Sequence, residues 1–452
     1  MTPLSRRRAL AALAAGATGG VAGCASGESV TTADDGGSTP TDAEPTLLDR
    51  YDLAADHGGD GGSAWTAPET APAVDSLGTE LLVENLEIPW DISVAGDGTL
   101  FVTERVGRLR SVDGDAVSTV ARPSDAIDAE SLDPGADVDP FENWFLEGGE
   151  GGMLGVAAHP SYPDPPVVYV YYTATTDDGK RNRVAAIDTD ADDPTETVTP
   201  VVEGIPAGGV HNGGRITFGP ENYLWVCCGD AGEADRAQDP ATLHGTVLRV
   251  TPTGDPAPDN PGLADPRIYT YGHRNPQGLV FTPDGEPLAS EHGPNGRDEI
   301  NHLVAGHNSG WPAVRNREAY PAEGVHSPLA NSGEQSWAPT GSVFYTGEDV
   351  PTLSNRLLVG GLFSQQLLVA TVTPDGDPLP PADGGTRYDH AWTDDTYTVT
   401  THAAFENELG RIRHVEQGPG GEVYVVTSNR DGRAKEGFPR EVDDVLVRVT
   451  QS

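Results

Sequence analysis

HNGGRITFGPENYLWVCCGD, residues 211–230, carries the pattern on which the fold turns. Ile216, Phe218, Leu224, Trp225 and Val226 read as buried strand residues flanking a turn built from Gly, Pro, Glu and Asn. Gly213 and Gly214 let the backbone bend, or approach a ligand closely, ahead of the first strand. His211 stands at the strand mouth and Asp230 at a strand end, so both can face one cavity. Taken alone, His211 is more often a hydrogen-bonded loop residue than a catalytic base.

The same strand-turn-strand unit recurs outward from this stretch. TELLVENLEIPWDISVAGDGTLFVTERVGRLRSV begins at Thr79, GMLGVAAHPSYPDPPVVYVYYTA at Gly152, and NPQGLVFTPDGEPLASEHG at Asn275. Two more units start at Gly341 and Arg411. About six such units predict an all-β chain, a six-bladed β-propeller of four-stranded antiparallel blades with long inserted loops. DDVLVRVT, at 443–450, is the expected closing strand beside Thr79 to Leu86. The abundance of turn formers, Gly 56 and Pro 38, agrees with many short strands. Long acidic insertions at 124–150 and 315–335 are expected to line a site or bind ions. With no phosphate-binding glycine loop between strand and helix, nucleotide cofactors are disfavoured.

The 28 basic and 70 acidic residues give a formal net charge of -42, which repels phosphate backbones and argues against a nucleic-acid partner. Only Lys180 and Lys435 are lysines, and the acidic, lysine-poor composition reads as a surface adapted to high salt. Arg6, Arg7 and Arg8 precede a short apolar run that looks like a twin-arginine export signal, and Val21 to Cys24 is similar to a lipobox acylated on Cys24. Residues 1–24 are therefore expected to direct export to the outer face of the cytoplasmic membrane, with a lipid anchor. Residues 25–75 read as a disordered Ser/Thr/Gly/Asp-rich tether, and 76–452 as the catalytic propeller. Cys227 and Cys228, adjacent in a strand, point to opposite faces and are expected to be two packed thiols.

Three further stretches join the opening one: YGHRNPQG from Tyr271, SEHGPNGRDEIN from Ser290 and GRIRHV from Gly410. Each lies beside a predicted strand, so in a propeller they converge on the axis. With HNGGR and a following GWP, these motifs stand in the order found in soluble quinoprotein glucose dehydrogenases and aldose sugar dehydrogenases. From Glu84 onward the chain thus resembles the glucose/sorbosone dehydrogenase family. The resemblance implies pyrroloquinoline quinone (PQQ) with calcium, and oxidation of aldoses to lactones. It also implies an electron acceptor that the residues do not identify.

Position by position, the resemblance gives His211 as general base and Asp230 as the carboxylate that orients it. Arg274 and Asn275 match residues contacting the quinone, where the charge of Arg274 favours a developing oxyanion. Arg411 and Arg413, alternating along one strand, match the pair that binds the cofactor's carboxylates. The carbonyls of Gly293 and Pro294 match calcium ligands, and Glu299 resembles a ligand of a second, structural calcium. His292 stands at a cofactor-contacting position where some relatives have Gln. Phe363 and Ser364 stand where soluble glucose dehydrogenases carry a Lys, leaving the quinone one cation fewer. A cofactor-free lactonase-type propeller and a non-catalytic binding propeller are the alternatives, and the Arg411, Arg413 and His211 set separates them from a quinoprotein.

Overall fold

Alternating β-branched and aromatic residues, interrupted by Gly, Pro and Asp turns, form six antiparallel sheets in the computed structural model, which describes residues 46–54, 62–114, 116–127 and 149–452. Each sheet begins with its innermost strand: Pro89–Val94, Met153–Ala158, Ile216–Phe218, Pro276–Phe281, Pro339–Tyr345 and Ile412–Gln417. These pair outward with Leu100–Glu104, Val167–Thr176, Leu224–Cys228, Pro287–Glu291, Arg356–Gly361 and Val423–Thr427, in that order. Neighbouring innermost strands touch in cyclic order, the sixth against the first, so the sheets close around an axis as a six-bladed β-propeller.

Closure is by the expected route. Leu446–Gln451 pairs antiparallel with Leu77–Val83, which becomes the outer strand of the sixth blade, with Glu80 opposite Arg448. Five blades have four strands; the fifth adds Thr386–Tyr388 outside Tyr397–Ala404. Sandwiched between neighbouring blades, a strand is buried on both faces and reads as a continuous apolar run. Val167–Thr176 does so, with Tyr169, Tyr171 and Tyr172 fully buried. Cys227 and Cys228 are buried free thiols, as expected. Burial holds both protonated, pushing the Cys228 thiol up to about 12.

The innermost strands share one direction. Asp91 Oδ2 accepts from Val156 N at 2.9 Å and Ser93 Oγ accepts from Ala158 N at 3.1 Å, so register advances in step from blade one to blade two. Loops preceding the innermost strands therefore gather at one mouth of the axis, and the strands' far ends at the other.

The tether is a correction in part. Leu47–Arg50 forms a short helix, and Leu47 and Leu53 are 3% and 1% exposed in the same core as Leu224 and Val226. Tyr51 Oη donates to Asp188 at 2.9 Å, and Trp65 Nε1 to Asp284 at 2.9 Å. Each buried aliphatic side chain contributes about 1.5–3 kcal/mol, so a few apolar residues suffice to dock short segments of a polar run. The export signal, Cys24, the earlier part of the tether and most of the first acidic insertion lie outside the described residues.

Candidate active site

The opening stretch places His211 and Asp230 together. His211 has a left-handed φ of 57°. A Cβ on Gly213 would lie 2.4 Å from the Cys227 carbonyl, so this turn needs glycine. Nδ1 of His211 lies 2.7 Å from Asp230 Oδ1, which also accepts from Gly232 N, while Trp311 Nε1 donates to Oδ2 at 2.8 Å. Asp230 is 1% exposed and fixed by these donors. It orients the ring so that Nδ1 carries the proton and Nε2 is left to accept one, an assignment that follows from the hydrogen-bond network. Asn275 accepts from Gly213 N at 3.0 Å through its own Oδ1. It is 1% exposed, and its Nδ2 donates to Glu150 Oε2 at 3.4 Å.

Beside this pair lies a guanidinium cluster. Arg411 and Arg413 face the same way, as their alternation predicted: both reach Asp431 Oδ2, Arg411 Nη2 at 2.8 Å and Arg413 Nη2 at 3.4 Å. Arg105, 3% exposed, donates to the carbonyls of Gly149 and Gly151. Arg433 Nη1 donates to Glu150 Oε1 at 2.9 Å, and His211 N to Glu150 Oε2 at 2.7 Å. Burial alone would raise the Glu150 carboxyl, but Arg433 and then His211 hold it at about 2. Burial, against the pull of Asp431, lowers Arg413 to about 9, and its Nε has no hydrogen-bond partner among the described residues. Phe363 is 54% exposed, with Lys435 Nζ 4.4 Å from its ring centroid. A lysine from another loop thus stands beside Phe363.

Arg274 joins from blade four. Its N–H donates to Glu291, its Nη1 to the His292 carbonyl at 3.2 Å, and its guanidinium lies 5.4 Å from the Trp311 ring. Arg274 Nε and His292 Nε2 are shielded and unpartnered among the described residues, and burial pushes His292 down to about 3, leaving it neutral. Gly293 and Pro294 line one recess with Arg274 and Glu299, though the Pro294 carbonyl accepts from Arg297 Nη1 at 3.2 Å. Glu299 accepts from Tyr320 Oη at 3.0 Å and Asn331 Nδ2 at 2.9 Å; burial, then Glu291, pushes its carboxyl up to about 8. Carbonyls beside two crowded carboxylates suit a hard cation. Asp298 instead organises the loop, accepting from Gly293, Trp337 and Ala338 N–H groups.

Two recesses of about 20 Å³ each are walled by His292: Arg274, Gly293, Pro294 and Glu299 line one, and Arg105, Glu150, Arg413, Asp431 and Arg433 the other, while His211, Asp230 and Arg411 line neither. A cavity of about 560 Å³ is lined by the far ends of the innermost strands and by none of the sequence-predicted site residues. Between the mouths runs a charged plug. Arg215 contacts Asp91, donates to the Gln277 carbonyl at 2.9 Å and lies 4.6 Å from the Trp90 ring. Arg215, part of the opening motif, is thus structural. Sequence reasoning gave no individual role to Glu150, within the 124–150 insertion, or to Glu291, at the end of a strand, and it missed Arg105, Asp431 and Arg433, which come from loops without periodicity.

The shielded, unpartnered guanidinium nitrogens suit a flat polyanionic ligand, and the imidazole-carboxylate pair suits proton transfer from a hydroxyl. Fold and site together define a six-bladed propeller with ionisable groups gathered at one axial mouth. Residues 86–436 match the family model described as Glucose / Sorbosone dehydrogenase, and the chain belongs to that family of oxidoreductases. It is 28% identical to the aldose sugar dehydrogenase YliI of Escherichia coli over 396 residues, 83% of this chain and 95% of that one. It is 31% identical to quinoprotein glucose dehydrogenase B of Acinetobacter calcoaceticus over 271 residues, 53% of each chain. The PQQ-bound aldose sugar dehydrogenase of Streptomyces coelicolor superposes with a TM-score of 0.65 at 29% identity, covering 84% of this chain and 100% of that one.

Proposed function

We propose that the chain is a PQQ- and calcium-dependent aldose dehydrogenase that converts the sugar's anomeric hydroxyl and carbon to a lactone. The observation that carries this reading is the His211–Asp230 pair, 2.7 Å apart, beside the partly unpartnered guanidinium of Arg413. Nε2 of His211 takes the hydroxyl proton, and Asp230 stabilises the resulting imidazolium. Arg411 and Arg413 would hold cofactor carboxylates, and Arg274 would lie against the quinone oxygens. The carbonyls of Gly293 and Pro294 would hold calcium, with Glu299 at a structural site. PQQ, when bound, supplies the two-electron acceptor for the hydride leaving the anomeric carbon. Because each recess is only about 20 Å³, roughly one water, binding requires side chains at the rim, Arg433 and Glu150 first, to swing aside.

The same reading includes export by the twin-arginine route, acylation of Cys24 and onward electron transfer to an external acceptor. Mass spectrometry of the mature amino terminus checks the anchor. Reconstitution with PQQ and calcium, followed by dye reduction with a panel of aldoses, checks the activity. Turnover with aldoses that depends on PQQ supports the proposal; turnover of lactones without PQQ would favour the hydrolase.

A further inference from the structure

We infer that a second site, outside the axial one, binds a borderline transition-metal dication such as Zn²⁺ through His302, His326 and Asp394. One ligand-capable atom from each lies within 4.8 Å of those of the other two. His302 is on the strand Glu299–His302 of blade four, His326 on the loop that follows it, and Asp394 ahead of the blade-five strand Tyr397–Ala404. An ion held by all three would cross-link two blades.

The donors are set up for ligation. His302 is 8% exposed; its Nε2 faces Glu286 Oε2 at 3.1 Å, and its Nδ1 is shielded with no hydrogen-bond partner among the described residues. A carboxylate on one ring nitrogen with the other left over is the usual arrangement around a metal-binding imidazole. Nε2 of His326 lies 2.7 Å from Asp394 Oδ2, an ion-pair contact. Asp394 Oδ1 is already used by Thr396 N at 2.6 Å, which turns Oδ2 toward the histidines. Two ligands about 2 Å from a tetrahedral ion sit about 3.3 Å apart, so this pair has to open by about half an ångström.

Two imidazoles and a carboxylate favour Zn²⁺, Co²⁺ or Ni²⁺ over calcium, which prefers an all-oxygen shell. His326 and Asp394, though not His302, line a cavity of about 570 Å³ together with Asp375, Asp389, His390 and Asp395, whose carboxylates concentrate cations there. His307, its ring 4.7 Å from that of His326, is a further imidazole near the cluster.

The test is titration of the chelator-treated full chain with Co²⁺ and Zn²⁺ alone, reading the visible bands of Co²⁺ and the thermal midpoint. One equivalent of Co²⁺ should give four-coordinate bands, Zn²⁺ should displace it and raise the midpoint, and calcium at the same concentration should do neither. His326→Gln and Asp394→Asn, both at the cavity wall, should each weaken binding more than about tenfold while keeping the wild-type circular dichroism. Unchanged affinity in both variants, or no saturable binding to the wild type, overturns the assignment. PQQ-dependent turnover, read in parallel, reports on the axial site alone.

Discussion

At the scale of single residues, the site depends on how His211 is held. The left-handed turn, the Asp230 carboxylate and the Trp311 indole fix its imidazole, so His211→Gln is expected to lower aldose turnover by about 10²–10⁴-fold with cofactor affinity nearly unchanged. Steady-state dye reduction beside a binding titration checks this; a parallel loss of affinity would make His211 a binding residue instead. The pair was legible because both members lie in one hairpin, where strand ends meet. Glu150 and Asp431, which balance the arginines, were not, because loop carboxylates in a chain with 70 acidic residues carry no pattern of their own. Asn275 was found as well, and its Oδ1 ties it to the His211 loop through Gly213 N.

At the scale of elements, strand periodicity located every blade, and the pairing of Leu77–Val83 with Leu446–Gln451 followed from two apolar runs left over at the ends of the repeat. The docked strap around Leu53 was hidden, since isolated apolar residues in a polar run give no period. Leu53 is 1% exposed, and its carbonyl lies 3.0 Å from His159 Nε2. Leu53→Ala is expected to cost about 2–5 kcal/mol of stability, read from the urea midpoint at unchanged slope. An unchanged midpoint would mean that the strap does not hold in solution.

At the scale of the whole molecule, the propeller isolates two mouths with a charged plug between them. Glu416, at the wide mouth, has a side chain 28% exposed, and burial followed by Asp91 pushes its carboxyl from 4.5 up to about 8. The folded state then binds more protons than the unfolded one across that window, so this group's contribution to stability falls as pH rises from about 4.5 to about 8. Glu416→Gln should flatten that part of the melting-temperature profile; an identical slope in the variant would contradict the assignment. The net charge of -42 predicts a thermal midpoint that rises from dilute buffer to molar salt, and a flat salt profile would remove the high-salt reading. The plug itself was illegible in the sequence, because Asp91, Arg215 and His414 meet only when three separate blades close on the axis. The central claim is that this mouth holds a flat polyanion against Arg411 and Arg413 beside His211. Trp90 lies 5.9 Å from Arg413 and Trp311 5.4 Å from Arg274, so PQQ binding can be followed by quenching of tryptophan fluorescence with calcium present. The expected result is saturable one-to-one quenching in the wild type, retained in His211→Gln and weakened at least about tenfold in Arg413→Gln. Quenching that persists unchanged in Arg413→Gln, or never saturates in the wild type, would contradict it.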